Sequence, residues 1–381
     1  MTSTKKVRTS YPFGLRVGLL GGGQLARMLA QKAQEMGLSV RVLCPAADEP
    51  AARVSSGWVA GRCHDSRDLE NFLGQVDLAT VESEFHSAEL LREASEKTGT
   101  PIWPSPAVLG QLQDRWPQKQ LLRDHKVPTA DFIAVNKADD LLEAAELFDN
   151  RFVLKKRQGG YDGYGTFVVR ERADLDKVFA DLDPRQQPCI AERFIPFKRE
   201  LALVAARNRR GQFVTLPLVQ THQVANRLDW LRGPVKHPAL TALTKKLKSF
   251  LNKIDYTGVI AFELFDTGRE LLVNEIAPRV HNSGHASLEA LDVDQFTLHW
   301  RALLDLDLQT PEPLTAGFSM VNLIGAGGET PQAPARLSGH LHWYGKEDSR
   351  AGRKMGHVTY LGSKSDDGLK RAVKERKGFK L

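Results

Sequence analysis

The sequence has few cysteines and no long apolar run. Cys44, Cys63 and Cys189 are the only cysteines among 381 residues, and their spacing matches neither a disulfide framework nor a zinc site. No apolar run approaches the roughly 18 residues that a membrane span needs, and the stretch 17–20 is too short for a signal peptide. These absences predict a cytoplasmic protein that does not enter a membrane.

Aromatic side chains are also scarce where the chain is most basic. The net charge is +7, and the densest basic segments, 346–354 and 370–380, lack the interleaved aromatic residues of a single-strand binding surface. We therefore predict no nucleic-acid partner. The basic excess suits anionic small molecules or a solvated surface, and the length predicts two or three domains.

The first hundred residues alternate between short apolar strands and amphipathic helices. Strands are predicted at 15–20, 40–43, 57–60 and 78–81, and helices at 24–36, 68–73 and 88–97. This alternation is typical of a doubly wound parallel sheet. Prolines between 101 and 128 indicate a domain boundary near 100–130, and further helices are predicted at 137–147, 172–180 and 238–254.

The glycine turn at 21–23 is similar to a dinucleotide-binding loop but departs from it. Its third glycine is misplaced, and Cys44 stands near the end of the second strand where an acidic residue is needed. A nicotinamide-dependent oxidoreductase is disfavoured for this reason. The free N–H groups of the following helix would suit a phosphate or another polar group. Glu82 and Glu84 follow a strand at its carboxyl end, where they either face a ligand or are solvated.

An apolar strand at 271–273 ends in a dense polar segment, NEIAPRVHNSGH. The preceding strand, 259–265, carries one carboxylate, Glu263, and the two strands are predicted to form a hairpin. With Asp266 opposite Glu270 across a three-residue loop, Glu263 would face Val273. Glu275 would then lie diagonally on the same face, roughly 7–8 Å away. Two carboxylates at this separation suit a divalent metal.

Three other segments carry candidate binding groups. Lys155 ends a strand that leads into a loop with four glycines, a pattern suited to phosphate but also to a plain turn. Glu192 and Glu200 flank an apolar segment, which is either a nucleoside surface or an ordinary surface strand. A basic cluster follows near the C-terminus, and it is either a phosphate clamp or a solvated loop. Its members are Lys346, Arg350, Arg353 and Lys354.

Taken in order, these motifs resemble the ATP-grasp superfamily and, within it, the N5-carboxyaminoimidazole ribonucleotide synthetase family. The resemblance rests on GGGQLARM, DRWPQKQLL, KKRQGGYDGYG, the segment from Glu192 to Glu200, NEIAPRVHNSGH, HLHWYGK and GRKMGH. It implies an α/β and α+β fold. A pre-ATP-grasp domain with the parallel sheet would span 1–112, and an ATP-grasp domain would span 113–312 with a lid at about 130–195. A small, mostly β domain with a basic tail would span 313–381.

The resemblance also implies a reaction in purine biosynthesis. The enzyme would be a carbon–nitrogen ligase that carboxylates 5-aminoimidazole ribonucleotide with ATP and bicarbonate through carboxyphosphate. It would use two magnesium ions and would be a homodimer. The alternative within the superfamily is a ligase such as formate-dependent glycinamide ribonucleotide transformylase.

Residue roles are carried over from the family motifs. ATP would contact Arg115, Lys155, Gly160, Tyr161, Asp162, Gly163, Tyr164, Gly165, Thr166, Glu192, Arg193, Phe194, Ile195, Glu200, His222, Asn274 and Glu275. The metal would be held by Glu263 and Glu275. The ribonucleotide would be bound by Gln24, Leu25, Glu82, Lys346, Arg353 and Lys354. The reaction centre would contain Asp162, Arg279, His281 and Asn282.

Some positions depart from the family pattern. The strand LPLVQTHQ carries Gln220 and Gln223 where the family has an acidic residue and a histidine. Either His222 substitutes through a local shift, or that nucleotide contact is lost. Thr166 replaces the last glutamine of the glycine loop, and the basic tail after Leu361 has no counterpart.

Overall fold

The computed structural model describes residues 10–160, 165–175, 178, 187–328 and 330–381. In this part of the chain the strands form sheets of five, nine and four strands. The helices are α1 (Gln24–Glu35), α2 (Ser66–Leu73), α3 (Ala88–Thr98), α4 (Pro106–Gln113), α5 (Arg115–Asp124), α6 (Ala138–Leu147), α7 (Leu240–Lys253), α8 (Ser287–Ala290), α9 (Gln295–Leu303) and α10 (Ser365–Arg376). Among the described helices, none combines the length and the apolar character that a membrane crossing requires.

The first sheet is parallel throughout, with strand order β3-β2-β1-β4-β5. Its strands are β1 (Arg16–Leu20), β2 (Ser39–Cys44), β3 (Gly57–Ala60), β4 (Leu78–Val81) and β5 (Ile102–Trp103). The predicted doubly wound sheet is therefore confirmed. Because the strand order reverses beside β1, the carboxyl ends of β1 and β4 open a crevice of the kind in which such sheets bind ligands.

A four-stranded antiparallel sheet covers the central part of the chain, with strand order β6-β9-β7-β8. Its strands are β6 (Phe132–Val135), β7 (Phe152–Lys156), β8 (Thr166–Val169) and β9 (Cys189–Arg193). Helix α6 packs on it through Leu141 and Ala144, which are fully buried. This small unit has its own apolar core. The predicted helix 172–180 falls partly outside the described residues; Asp174, Leu175 and Val178 are helical.

The largest sheet has strand order β15-β14-β10-β12-β13-β16-β18-β17, with β11 paired to β10. Its strands are β10 (Arg199–Arg207), β11 (Phe213–Thr215), β12 (Val219–Val224), β13 (Arg227–Gly233), β14 (Gly258–Asp266), β15 (Leu271–Ala277), β16 (Gly317–Ile324), β17 (His340–Trp343) and β18 (Lys354–Gly362). The C-terminal strands are antiparallel and continue the ATP-grasp sheet through the pairing of β13 with β16. The predicted ATP-grasp fold is confirmed.

Helix α9 joins the first sheet to the largest one. The indole nitrogen of Trp300, a fully buried residue, donates to the carbonyl of Leu29 over 2.9 Å. On the same helix, the His299 Nε2 lies 2.9 Å from the Thr80 hydroxyl on β4. A single apolar cluster runs across this junction. The two sheets are therefore held in a fixed relation, which positions the crevice beside β1 against the edge of the large sheet.

The β14–β15 hairpin differs from its predicted register. Asp266 pairs with Leu271 instead of Glu270, so the loop is one residue longer than expected. A β-bulge then inserts Asn274 between the pairs, and Glu263 lies directly opposite Glu275. The prediction that Glu263 would face Val273 with Glu275 on the diagonal is wrong. A bulge adds one residue to one strand and shifts every later pair. Directly opposite positions are closer than diagonal ones, so the two carboxylates are closer than predicted.

The basic tail forms a helix that packs on the C-terminal strands. Ala372 of α10 is fully buried, and the Tyr360 hydroxyl on β18 donates to Glu375 over 3.0 Å. Arg376 donates to both carboxylate oxygens of Asp229 on β13. The basic tail, which has no counterpart in the family motifs, therefore covers one face of the large sheet.

Candidate active site

A cleft of about 480 Å³ is lined by residues of the four-stranded sheet and the large sheet, together with the first turn of α1 and the loop that follows β4. Most of the residues predicted from the sequence line it: Gln24, Leu25, Arg115, Lys155, Gly160, Thr166, Glu192, Arg193, Phe194, Ile195, Glu200, Glu263, Asn274, Glu275, Arg279, His281, Asn282 and Lys354. They come from positions spread over more than 300 residues, so only the tertiary structure brings them together.

Other predicted residues lie elsewhere. Tyr161, Asp162, Gly163 and Tyr164 are outside the described residues. Within the described lining, Glu82, Gly165, His222, Lys346 and Arg353 do not occur. Several lining residues were not assigned a role from the sequence: Glu84, Ala130, Val153, Val168, Phe197, Gln223, Asn226, Leu228, Phe265, Ala277 and His285.

The carboxylates of Glu263 and Glu275 form an acidic pair on one face of the large sheet. Burial, together with the nearby charge of Glu275, raises the pKa of Glu263 to about 7. Two like charges held this close repel each other unless a proton or a cation lies between them. Asn274, in the bulge, adds an amide oxygen beside them. Hard oxygen donors of this kind are those that magnesium prefers.

Helix α5 presents three polar side chains to the edge strand β15. Arg115, Gln118 and Lys119 are spaced i, i+3 and i+4, so they share one helix face. Arg115 Nη2 donates to Glu275 Oε1 over 2.6 Å. The Gln118 amide accepts from the Ile276 N–H and donates to the Ile276 carbonyl, over 3.1 and 3.2 Å. These bonds satisfy the exposed backbone of an edge strand, and they fix the bulged segment that carries Glu275.

Lys155 is held by groups from two sheets. Its ammonium donates to Asn274 Oδ1 over 2.8 Å and lies 3.2 Å from Glu192 Oε1. The other oxygen of Glu192 lies 2.9 Å from the Lys119 ammonium. Burial alone would raise the pKa of Glu192, but the two lysines outweigh it and lower that pKa to about 2. The resemblance placed Glu192 among the residues that contact ATP, and in the structure its carboxylate lies between these two lysines.

Aromatic side chains form part of the lining of the cleft. Phe197 and Phe265 stack with their ring centroids 4.6 Å apart and their planes within 5°. Phe197 remains 41% exposed, so its ring is accessible to a ligand in the cleft. Phe194 and Ile195, predicted to form this surface, also line the cleft. The contribution of Phe265 depends on the side of the strand that it faces, which the sequence alone did not establish.

Arg279 forms a forked ion pair with Glu84. Its Nε and Nη2 groups contact the two oxygens of Glu84, at 3.0 Å for Nη2, and its Nη1 donates to the Val280 carbonyl. Burial would raise the pKa of Glu84, but the guanidinium of Arg279 outweighs it and lowers that pKa. Glu84 lies beyond β4 of the first domain. The pair thus joins two domains and leaves the Nη1–Nη2 edge of Arg279 for another planar anion.

The segment around His281 is held in place by Gln295. The Gln295 amide accepts from the His281 N–H and donates to the His281 carbonyl, both over 2.9 Å. Its nitrogen also donates to His285 Nδ1, so the imidazole of His285 carries its proton on Nε2. Burial lowers the pKa of both histidines, that of His285 to about 3. Both side chains are therefore neutral at physiological pH.

Glu82 occupies the helix N-terminus that the sequence suggested for a phosphate. Its carboxylate accepts from the N–H groups of Gly23 and Ala26, over 2.7 and 3.1 Å. A carboxylate is stabilised by the helix dipole as a phosphate would be. The first turn of α1 is therefore capped by the protein itself, and Gln24 and Leu25 are the residues of this turn that line the cleft.

The C-terminal basic cluster lies against the first domain. Glu347 forms an ion pair with Arg53 over 2.5 Å, and Gly345 lies beside Arg27 of α1. Burial and the charge of Arg353 lower the pKa of Lys346 to about 8.

Asp348 neutralises part of this cluster, although no role was predicted for it. Both Arg350 and Arg353 form ion pairs with its carboxylate. Lys346 donates instead to the Lys354 carbonyl over 2.8 Å. Lys354 is the member of the cluster that lines the cleft.

The departures on β12 have a structural explanation. A register shift falls between His222 and Gln223. His222 stacks on Trp230, with ring centroids 4.9 Å apart, whereas Gln223 lines the cleft. Of the two alternatives left open by the sequence, the structure does not support substitution by His222. Gln220 accepts from Arg232 over 2.9 Å and belongs to the sheet surface.

Three family models match successive parts of the chain. They are the ribonucleotide synthetase preATP-grasp domain at residues 15–113, the ATP-grasp domain at 120–296, and the phosphoribosylaminoimidazole carboxylase C-terminal domain at 319–371. The last match includes part of the basic tail, which is consistent with its packing as a helix.

Curated relatives match almost the full length. The N5-carboxyaminoimidazole ribonucleotide synthase of Synechococcus elongatus is 39% identical over 352 residues, covering 90% of this chain and 88% of that protein. The protein of the same name from Pseudomonas aeruginosa is 38% identical, covering 91% and 94%.

Solved structures agree with the sequence matches. N5-carboxyaminoimidazole synthetase from Staphylococcus aureus, complexed with ADP, has a TM-score of 0.88 and 30% identity, covering 97% of this chain and 99% of that chain. The Aspergillus clavatus synthase in complex with ADP and 5-aminoimidazole ribonucleotide has a TM-score of 0.86 and 26% identity, covering 96% and 99%.

Proposed function

Because the chain belongs to the N5-carboxyaminoimidazole ribonucleotide synthase family of ATP-grasp enzymes, we propose that it carboxylates 5-aminoimidazole ribonucleotide. ATP and bicarbonate would be the co-substrates, and ADP and phosphate the other products. The observation that carries this proposal is the convergence of three groups on one cleft. They are the acidic pair with Lys155, the forked Arg279 beside His281, and Lys354 with the turn of α1.

ATP would bind between the four-stranded sheet and the large sheet. Lys155 and Arg115 supply cations for its phosphates, and the aromatic surface with Phe194 and Phe197 supplies a place for a flat base. Glu200, also in the lining, is an acceptor for a ribose hydroxyl. The Aspergillus clavatus and Staphylococcus aureus relatives were solved with adenine nucleotides, and the likeness to them supports this assignment.

Magnesium fits the acidic pair. Glu263 and Glu275 would hold it, since their direct opposition and the raised pKa of Glu263 create a place where positive charge is favoured. Bound there, magnesium would offset the charge of the ATP phosphates and act as a Lewis acid in phosphoryl transfer. The resemblance implies two ions, and the side chains Asn274, Glu263 and Glu275 provide several oxygen donors for them.

Bicarbonate would lie against Arg279. Glu84 occupies the Nε–Nη2 edge of this guanidinium, so the remaining edge can hold a planar anion in a bidentate manner. A bicarbonate oxygen would attack the γ-phosphate and release ADP, forming carboxyphosphate. Carboxyphosphate would then lose phosphate to give carbon dioxide, and the amine of the ribonucleotide would form the new C–N bond and lose a proton. The neutral His281, whose Nε2 lies 3.6 Å from Glu263, could donate to the anion during this sequence.

Water must be excluded from carboxyphosphate, and the four-stranded sheet is suited to that. It has a separate core and carries the glycine loop between β7 and β8, of which residues 157–160 and 165 are described. Asp162, predicted to belong to the reaction centre, lies outside the described residues. Closure of this sheet over the phosphates would remove the nucleotide from solvent.

The proposed function is tested by measuring ADP release with bicarbonate and 5-aminoimidazole ribonucleotide added separately and together. We expect full activity only when both are present, with one carboxylated product formed for each ADP. In a parallel assay, ADP release is measured with formate and glycinamide ribonucleotide. ADP release that requires this pair instead would favour the transformylase alternative and contradict the proposal.

We expect Arg353→Ala to weaken ribonucleotide binding by about 1.5–3 kcal/mol, the usual value of a hydrogen bond to a charged group. In the structure the Arg353 guanidinium forms an ion pair with Asp348, and Arg350 would remain as a partner of that carboxylate in the variant. The apparent constants for ribonucleotide and ATP should be measured together, because only the first should rise. Lys370→Ala, on the outer helix α10, is the matched control. Equal changes for both substrates would contradict the phosphate role of Arg353.

Two further expectations from the resemblance stay predictions. The protein would be a homodimer and would work in the cytoplasm. Sedimentation velocity of the purified protein would establish its oligomeric state, and a monomer at micromolar concentration would contradict the first.

A further inference from the structure

Lys119 is a buried lysine that does not reach the cleft. Its side chain is 1% exposed, and it is absent from the described lining. Its ammonium donates to the Thr129 hydroxyl over 2.7 Å and to the Val273 carbonyl over 3.3 Å, and it lies 2.9 Å from Glu192 Oε2. An ammonium has three donors, so all of them are used within the protein. Lys119 therefore cannot bind a ligand directly.

Burying the Lys119 ammonium costs desolvation free energy, which its ion pair with Glu192 offsets. Burial lowers the pKa of Lys119, and the carboxylate of Glu192 opposes that effect. Leucine or methionine would fill the same place in the core without desolvating a charge. The position of Lys119 is therefore better explained by what it does to Glu192 than by stability.

Glu192 is shared between two lysines, one on each oxygen. Lys119 faces Oε2, and Lys155 faces Oε1 at 3.2 Å. If Glu192 faced Lys155 alone, the two charges would cancel, and Lys155 would be drawn to the carboxylate. With Lys119 present, the group of three carries a net positive charge. Lys155 then keeps a positive charge to offer on the cleft side.

We propose that Lys119 is a positioning residue for nucleotide binding, which acts through Glu192 on Lys155. It holds the carboxylate at one oxygen, so that the other oxygen orients the Lys155 ammonium without neutralising it. Asn274 completes the arrangement by accepting from Lys155 on the side of the acidic pair. The inference rests on the proposed function only in that Lys155 meets the phosphates of a nucleotide.

The test is Lys119→Met, which keeps an unbranched side chain, shorter by one atom, and removes the charge. We expect the dissociation constant for ADP and the KM for ATP to rise by about 10- to 100-fold, the usual effect of removing an outer partner of a binding group. The KM values for bicarbonate and ribonucleotide should change less than about threefold. Lys137→Met is the matched control, because Lys137 is in the same region with a side chain that is 62% exposed. It should leave all constants unchanged.

A double-mutant cycle separates positioning from general destabilisation. In the Glu192→Gln background there is no carboxylate for Lys119 to hold, so Lys119→Met should change ADP binding by less than about twofold. If Lys119→Met alone does not fold, the double variant is compared with Glu192→Gln. The double variant contains no unpaired buried carboxylate, and a large loss of ADP binding relative to Glu192→Gln would still contradict the proposal. A full loss in both backgrounds, or equal increases of KM for all three substrates, would overturn the proposal.

Direct ADP binding also distinguishes this inference from the proposed function. If the unmodified protein binds ADP but does not carboxylate the ribonucleotide, the proposed function fails, and the role of Lys119 is still decided by the cycle. If the unmodified protein does not bind ADP, the role of Lys119 is refuted.

Discussion

Replacing Glu275 by glutamine is expected to lower turnover by about a thousandfold or more while the protein stays folded. An amide is a much weaker magnesium ligand than a carboxylate. A loss of about 4 kcal/mol of transition-state stabilisation by the metal corresponds to a thousandfold in rate. The variant also removes the negative charge of the Arg115–Glu275 ion pair, which spans 2.6 Å, and leaves only an amide oxygen as the acceptor. Both effects act on the phosphate end of the cleft.

Turnover of Glu275→Gln should be measured over a range of magnesium concentrations, with circular dichroism as the check on folding. Glu270→Gln is the matched control, because Glu270 belongs to the same hairpin and is exposed. It should behave like the unmodified protein. Normal ADP production by Glu275→Gln at limiting magnesium would refute the metal assignment.

The second large effect is expected for Arg279→Lys. A lysine keeps the positive charge but cannot form the fork with Glu84 and present a second planar edge at the same time. We expect turnover to fall by about 100- to 1000-fold, the cost of losing one well-placed donor at a developing anion, about 2.7–4 kcal/mol. The KM for bicarbonate should rise, because Arg279 is proposed to hold that anion, whereas the KM for ATP should change little.

The control for this variant is an arginine that forms the same kind of forked ion pair outside the cleft. Arg16 also forks onto a carboxylate, that of Asp77, through Nε at 3.3 Å and Nη2 at 2.6 Å, but this pair is exposed on the first sheet. Arg16→Lys should leave all kinetic constants unchanged. A loss of ATP affinity by Arg279→Lys that equals its loss of bicarbonate affinity would mean that Arg279 supports the cleft as a whole, and the bicarbonate assignment would fail.

The sequence by itself determined the order of elements and the chemistry of the cleft. Parallel strands and helices were visible in the apolar periodicity of the first hundred residues, because burial on one face leaves a pattern in the chain. Polar groups in apolar strands, such as Glu263 and Lys155, were also visible in the sequence. Packing does not require a charged side chain there, so each one indicated a binding role. The family motifs then supplied the reaction, as the matches to curated relatives bear out.

What the tertiary structure alone decided was the pairing of groups distant in the chain. The bulge at Asn274 changed the register of the hairpin, and the irregularity after His222 turned that ring to Trp230 and Gln223 to the cleft. Periodicity cannot show a one-residue insertion in a sheet, because the shift depends on backbone bonds with neighbouring segments. The partners of predicted charges are also set by packing. Glu84 joins Arg279, and Lys119 joins Glu192, across 195 and 73 positions of sequence, since a charge that leaves water needs an opposite charge wherever the fold brings one close.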